Sequence, residues 1–326
     1  MAYDLDFERP LAELEKRMQP FERRGDKLKA DERAKLDQLK RDLEQQTQDI
    51  YSSLTPWQRV QVARHRDRPY AGDYIKLMCE DFFELRGDRR YGDDRALIGG
   101  VASLDGQTIM ILGSQKGRDT KERVEVNFGM AHPEGYRKAL RLFRQAERFK
   151  MPVVTLVDIS GASLGLEDEQ RGISEAIAEN LLVMSSLRTP ILTIIIGEGG
   201  SGGALGISVA DRILMMEHAI FYVASPEAAA SILWRDAAFA ANAAESMKIT
   251  APDLLKMGLI EAIIPEPLGG AHRDHRAVAS TVKEAMLKHL DELREFQTDE
   301  LLERRYQRYR AIGNVALEPV GVGVKS

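Results

Sequence analysis

Pro190-Ile-Leu-Thr-Ile-Ile-Ile-Gly-Glu-Gly-Gly-Ser-Gly-Gly203 is the stretch whose reading decides the fold. Ile191 to Ile196, rich in branched aliphatics, opened by Pro190 and closed by glycine, reads as a strand buried on both faces. Gly197-Glu-Gly-Gly-Ser-Gly-Gly203 then reads as a loop, and the small residues from Ala204 can start a helix. Strand, glycine loop and helix start together expose backbone N–H groups with no side chains in the way. Such a patch stabilises negative charge, on either a phosphate or an oxyanion.

Upstream, Pro152-Val-Val-Thr-Leu-Val-Asp-Ile-Ser-Gly-Ala-Ser-Leu-Gly165 matches that stretch without a gap. Pro152 pairs with Pro190, Thr155 with Thr193, Gly161 with Gly199, Ser163 with Ser201 and Gly165 with Gly203, always 38 residues apart. A fixed period of this size signals stacked supersecondary units, here a strand, a glycine loop and a helix. A competing reading is the dinucleotide fingerprint, since Gly197, Gly199 and Gly202 satisfy G-x-G-x-x-G and Glu217 follows at the ribose-binding distance. Against it, the loop sits deep in the chain, and the room before the next strand-like run, Arg212–Met216, holds only a short crossover helix. No G-x-x-x-x-G-K-[ST] occurs, which excludes a P-loop.

Outside the repeat, Ile98–Ser103 and Thr108–Leu112 flank Asp105-Gly106, a hairpin signal. Lys116, Arg118, Lys121 and Arg123 follow as a basic loop, either solvated surface or a contact for an anionic substrate or partner. Pro133 to Phe149 is a helix with Pro133 at its first position and Tyr136, Leu140, Phe143 and Ala146 as its buried stripe. Another helix, Ser174 to Leu187, separates the two repeat units. A third unit has Ala219–Val223 as strand and Ser225-Pro226 as cap of a helix reaching Trp234.

The first 54 residues are charge-dense and predict a helical hairpin turning near Gly25, with Leu36, Leu39, Leu43, Ile50 and Leu54 on one face. Thr55-Pro56-Trp57 starts a further helix, and Tyr74–Leu85 has the spacing of one more, ended by Gly87. His65 among Arg64, Arg66 and Arg68 reads as a solvated or interfacial basic patch. Long charged helices return over 277–311, and the last fifteen residues read as frayed.

Bulk properties bound the function. The chain of 326 residues is 44% hydrophobic and 30% charged, enough for a large core in a soluble protein. A net charge of −5 argues against a general nucleic-acid or membrane binder. The single Cys79 excludes a disulfide framework and any four-cysteine zinc site within the chain, and no metal site is expected. No signal region or long apolar run is present, so a cytoplasmic location is expected.

Several longer motifs carry a resemblance. Asn127-Phe-Gly-Met130, Pro133–Arg141, Gly197–Leu205, Ser225-Pro-Glu227, Ile232-Leu-Trp234 and Pro265-Glu-Pro-Leu-Gly-Gly-Ala-His272 resemble the alpha subunit of bacterial acetyl-CoA carboxylase carboxyltransferase. The likeness runs from Leu5-Asp-Phe7 to Arg304–Arg308, nearly the whole chain. It implies an α/β fold of the ClpP/crotonase type, a spiral of β-β-α units with helical N- and C-terminal extensions. It also implies a helical segment over 1–90, a crotonase-like carboxyltransferase core over 91–275, and C-terminal helices and tail over 276–326.

The implied activity is transfer of a carboxyl group from carboxybiotin, held on a separate biotin carboxyl carrier protein, to acetyl-CoA. The product is malonyl-CoA, for fatty-acid synthesis. The implied partner is a zinc-ribbon beta subunit in a heterotetramer of two alpha and two beta chains, with zinc in the beta chain. By the resemblance, Gly202 and Gly203 supply the oxyanion hole for biotin, at a helix start whose dipole points the right way. Gly161, Ala162, Gly165, Gly199, Gly200 and Ser225 are the expected residues of the carboxybiotin and acyl-CoA pocket. Lys248, in a partial echo of a biotinylation site, reads as ordinary surface. No protein general base is expected.

One departure stands out. The family pattern Thr-Pro-Gly-Ala-Tyr-Pro-Gly appears here as Asp158-Ile-Ser-Gly-Ala-Ser-Leu-Gly165, without its prolines and tyrosine. Losing proline loosens a loop, so an altered pocket, or a non-catalytic assembly or regulatory paralogue, is the alternative reading. An independent crotonase-type hydratase or hydrolase is disfavoured, because the loops lack a carboxylate pair.

Overall fold

The computed structural model describes residues 3–313; most of the tail expected to be frayed therefore lies outside the described residues. Among those described, eight strands form one sheet: β1 (Glu80–Glu84), β2 (Leu97–Leu104), β3 (Gln107–Ser114), β4 (Val153–Ile159), β5 (Ile191–Gly200), β6 (Arg212–Met216), β7 (Ile220–Tyr222) and β8 (Ala262–Ile264). The order is β1-β2-β3-β4-β5-β6-β8, with β7 pairing the glycine end of β5. β1, β2 and β3 are antiparallel, and every pair from β3 onward is parallel. Asp105 and Gly106 turn β2 into β3 with φ of 49° and 76°, the primed geometry that suits a twisted hairpin.

The 38-residue repeat is the parallel register itself: Val153 faces Ile191, Thr155 faces Thr193 and Val157 faces Ile195. Every residue of β4 and β5 is buried, so a hydroxyl there needs a partner. Thr155 and Thr193 provide it for each other, with Oγ1 atoms 2.7 Å apart.

Before the sheet come α1 (Arg9–Glu22), α2 (Ala30–Ser52), α3 (Pro56–Ala63) and α4 (Ala71–Met78). The hairpin of α1 and α2 turns at Gly25 as expected, with φ of 48°, and buries Leu14, Met18, Leu36 and Leu39. Thr55 caps α3 by accepting from the Gln58 N–H. The helix expected over Tyr74–Leu85 is corrected. Only α4 forms, and the Glu80-Asp-Phe-Phe-Glu84 run pairs with the edge of β2 instead. Tertiary pairing overrides local periodicity here. Gly100 permits the approach, since a Cβ there would sit 2.0 Å from the Phe83 carbonyl oxygen.

α5 (Thr120–Glu125) follows β3, and α6 (Pro133–Arg148) leads into β4. α4 and α6 cover opposite faces of the sheet. A Cβ on Gly113 of β3 would meet Ala71 of α4, while Gly99, opposite the neighbouring Leu112, meets Leu142 of α6; adjacent strand residues point to opposite sides. Beyond β4 lie α7 (Leu166–Gln170) and α8 (Ile173–Ser186); α9 (Ser201–Leu205) starts directly from β5. The chain ends through α10 (Pro226–Trp234), α11 (Ala240–Met247), α12 (Ala251–Lys256), α13 (His275–Arg294) and α14 (Thr298–Ala311). Arg305 docks α14: fully buried, it donates to the carbonyls of Met184, Leu187 and Thr189 and pairs with Asp211.

Candidate active site

The functional end of the sheet is where β4 and β5 run out side by side. The first loop, Ser160–Gly165, follows β4; the second is the glycine run at the end of β5 and the start of α9. The run is not all loop: Gly197–Gly200 continue β5, with Glu198, Gly199 and Gly200 paired to β7. The chain turns at Ser201, whose φ of 53° is a strained value for a residue with a Cβ.

Glycine here lets two backbones touch. A Cβ on Gly200 would lie 2.2 Å from the Ser160 carbonyl oxygen, and one on Gly203 would lie 2.5 Å from the Ala162 nitrogen. Gly202 is different, with nothing within 4 Å of its Cβ position. It faces a cleft of about 410 Å³ whose lining includes Gly161, Ala162, Leu164, Gly203, Val223 and Ser225. The N–H groups of the first helical turn have no intrahelical acceptor, so the turn at Ser201–Gly203 offers donors to this cleft. α9 has only five residues, too short for the helix dipole expected from the sequence, so the donors act as local N–H groups. Tyr136 holds the turn from behind by donating to the Gly203 carbonyl.

Five expected pocket residues, Gly161, Ala162, Gly202, Gly203 and Ser225, come together in the cleft. Three expected residues do not line it. Gly199 packs where a Cβ would meet the Phe221 ring, Gly200 backs onto the first loop, and Gly165 is the N-cap of α7 with its N–H on Asp168. The Ser225 hydroxyl is committed to capping α10 by accepting from the Ala228 N–H. Lys248 is half-exposed near Glu245, on the rim of an apolar hollow of about 460 Å³ that shares Gly202 and Val223 with the cleft.

Sequence reasoning missed what anchors the site. Glu198, inside the glycine run, is only 3% exposed. Its carboxylate accepts from Arg64 (2.7 Å), Lys116 (3.1 Å) and the Tyr222 hydroxyl (2.6 Å), and its N–H donates to Asp158. Burial would raise the carboxyl, but Lys116, Arg64 and Tyr222 outweigh it and hold the pKa at about 2. Burial, then the Glu198 charge, pushes the Tyr222 hydroxyl well above its usual range, so it stays a donor. The available signal was a lone carboxylate among five glycines, with Asp158 at the same end of the neighbouring strand.

Both basic clusters are thereby corrected, because their cations are largely spent inside the protein. Arg64 joins Glu198 to Glu227, and Arg68, fully buried, pairs with Glu266 and donates to the Ile196 carbonyl just before the glycine run. His65 is buried against Asp4, leaving Arg66 exposed. Lys116 sits between Asp158 and Glu198, Arg118 pairs with Asp73, and Lys121 is exposed.

In the folded chain the first loop is held by hydrogen bonds. Ser163 donates through its N–H to the Ala131 carbonyl and through its hydroxyl to Asp168, and accepts from Asn127. Asp168 also accepts from the Gly165 N–H and Arg171 and lies 2.7 Å from His132 Nδ1. Apolar side chains frame the cleft: Leu164 and Val223 are 85% and 84% exposed. Among the described residues no cluster of His, Cys, Asp or Glu is arranged to hold a metal ion, and no helix is long and apolar enough to cross a membrane.

The chain is similar in sequence to named carboxyl transferase subunits. A chain from Saccharophagus degradans, named acetyl-coenzyme A carboxylase carboxyl transferase subunit alpha, is 51% identical over 313 residues, covering 96% of this chain and 98% of its own. One of the same name from Carboxydothermus hydrogenoformans is 50% identical over 313 residues, 96% of this chain and 97% of its own. In three dimensions, a Pseudomonas malonate decarboxylase hetero-tetramer solved with coenzyme A matches with a TM-score of 0.59 at 19% identity, over 74% of this chain and 96% of that one. That likeness carries the fold, the crotonase-type spiral with helical extensions. The family described as acetyl co-enzyme A carboxylase carboxyltransferase-like matches residues 4–313, and this chain belongs to it.

Proposed function

We propose that this chain is the alpha subunit of a biotin-dependent acetyl-CoA carboxyltransferase. It moves a carboxyl group from carboxybiotin, carried on a separate protein, to acetyl-CoA, giving malonyl-CoA in the cytoplasm. The observation that carries the reading is the contact of two glycine loops that turns Gly202 toward a cleft, in a chain half identical to named alpha subunits.

The residues suit the group. The open space at Gly202 admits a ligand, and Leu164, Ile173, Ile177 and Val223 supply apolar walls for a fused-ring head. Carboxybiotin brings the activated carboxyl; breaking its N–C bond leaves charge on the ureido oxygen. The N–H groups of Gly202 and Gly203 receive that charge. One such donor is worth about 3 kcal/mol, roughly 100-fold or more in rate. The new C–C bond forms at the acetyl methyl carbon, and the proton released there passes to biotin nitrogen, so no protein base is assigned. Gly161 and Ala162 buttress the turn, and Ser225 fixes the opposite wall through α10.

A zinc-ribbon beta subunit, two copies with two of this chain, completes the enzyme in this reading and supplies the second oxyanion site, for the thioester enolate. Support comes from the exposed apolar side chains beside the cleft, Leu164 and Leu166 on one side and Val223, Ile232 and Leu233 on the other.

The test is carboxyl transfer from malonyl-CoA to biotin, with this chain alone and with the beta subunit. Activity only with both chains is expected. Gly202→Val is the sharper variant, because at Gly203 a side chain would collide with the first loop. It should lower kcat by about 100-fold or more with an unchanged melting temperature. Full activity in that variant would sink the oxyanion assignment, and assembly without activity in the natural chain would favour a structural role.

A further inference from the structure

We propose that Glu198 is a positioning residue for carboxyl transfer: its buried carboxylate fixes the direction of the Gly202 and Gly203 N–H groups. The proposal rests on the oxyanion reading of that turn and goes beyond it by naming what preorganises the donors.

Five of the seven residues from Gly197 to Gly203 are glycine, the residue with the widest backbone freedom. Donors that stabilise developing charge must already be aimed, because reorienting them costs what they are meant to supply. Only two side chains in the run can hold it. Ser201 is exposed and makes no side-chain hydrogen bond among the described residues; Glu198 is buried and bonded on every side.

The anchors come from four separate elements: Arg64 after α3, Lys116 after β3, Tyr222 on β7 and, through the Glu198 N–H, Asp158 on β4. The same contacts reach the rest of the cleft. The Tyr222 oxygen lies 3.2 Å from the Ser160 carbonyl oxygen in the first loop. Arg64 also grips Glu227 in the first turn of α10, next to Ser225. One carboxylate therefore ties the second loop to the first loop and to the far wall.

A purely structural ion cluster would predict something else, and the geometry allows the two to be separated. Lys116 keeps Asp158 and Arg64 keeps Glu227 when Glu198 is neutralised. Glu198→Gln therefore leaves no cation unpartnered and keeps the side-chain shape, while its amide N–H2 replaces one of the two accepting oxygens and gives up the bonds made there. In the assembled complex, transferring carboxyl from malonyl-CoA to biotin, this variant should lose roughly 30-fold in kcat. KM for malonyl-CoA should stay within about twofold and assembly should be retained. The melting temperature should fall, because the ionised carboxylate is stabilised by its cations, with the chain still folded at the assay temperature.

Tyr222→Phe keeps every charge and should lose roughly threefold in kcat, again with KM unchanged. Natural kcat in Glu198→Gln, while Gly202→Val is inactive, would overturn the positioning role and leave the oxyanion reading standing. An active Gly202→Val would remove that reading and the proposal together. A fall in Glu198→Gln activity matched by lost assembly, or by a chain unfolded at the assay temperature, would assign Glu198 to folding, as would an unaltered kcat in Tyr222→Phe if the Gln variant does not fold.

Discussion

The loop after β4 and the loop after β5 occupy matching positions in two stretches 38 residues apart, and they are held by different means. The first is pinned by neutral and charged hydrogen bonds near its own backbone: Ser163 on Asp168, Asn127 and the Ala131 carbonyl. The second carries almost no side chains and is held at a distance, through Glu198, by cations from elements far apart in sequence. A loop that must offer bare N–H groups has to be glycine-rich, so its order must be imported. Its neighbour needs only to be a firm wall, and local side chains suffice.

The largest expected effect comes from forcing the two loops apart. Gly200→Ala puts a Cβ 2.2 Å from the Ser160 carbonyl oxygen, where only backbone can give. It should destabilise the chain by about 3 kcal/mol in denaturant titration. Gly202→Ala meets nothing within 4 Å and should stay within about 0.5 kcal/mol. Equal losses at the two positions would mean the loops do not touch as described.

Next in size is Asp168→Ala, which unpins the first loop and should cost about 2 kcal/mol. Burial raises the Asp168 carboxyl, but the Ser163 hydroxyl and His132 pull it further down, below its ordinary 3.8. Its folded pKa is thus depressed, so its stabilisation is complete above about 3.8 and is lost as pH falls further. Unfolding followed against pH should show the natural chain losing this part below that value and the variant having none to lose.

The smallest effect concerns the two matched strands that carry the loops. Thr155→Val alone strands the buried Thr193 hydroxyl and should cost about 1 kcal/mol; with Thr193→Val added, stability should largely return. Additive losses would show that the two hydroxyls do not satisfy each other.

How much of this was legible follows the range of the interactions. The matched stretches were legible as stacked repeat units, and the structure realises them as a parallel pair aligned at the same 38-residue offset. The Asp105-Gly106 turn, the Thr55 and Ser225 caps and the Gly25 hairpin were also legible, since turn and cap chemistry acts over a few residues. The run at Glu80–Glu84 was misread because its state depends on the free edge of β2, which no local pattern encodes. The basic clusters were misread for the same reason: Arg64 and Glu198 are partners 134 positions apart.

By itself, then, the sequence determined the repeat, the strand–glycine–helix units, the family and the presence of a bare-backbone turn for negative charge. Only the tertiary structure decided which glycines face the cleft and which are needed for contact. Gly202, Gly200 and Gly203 are the same letter, and their roles differ solely by what lies within 4 Å of each missing Cβ. It also decided that Glu198 is an anchor rather than a solvated charge, because a carboxylate's role depends on partners that folding alone brings within hydrogen-bond reach.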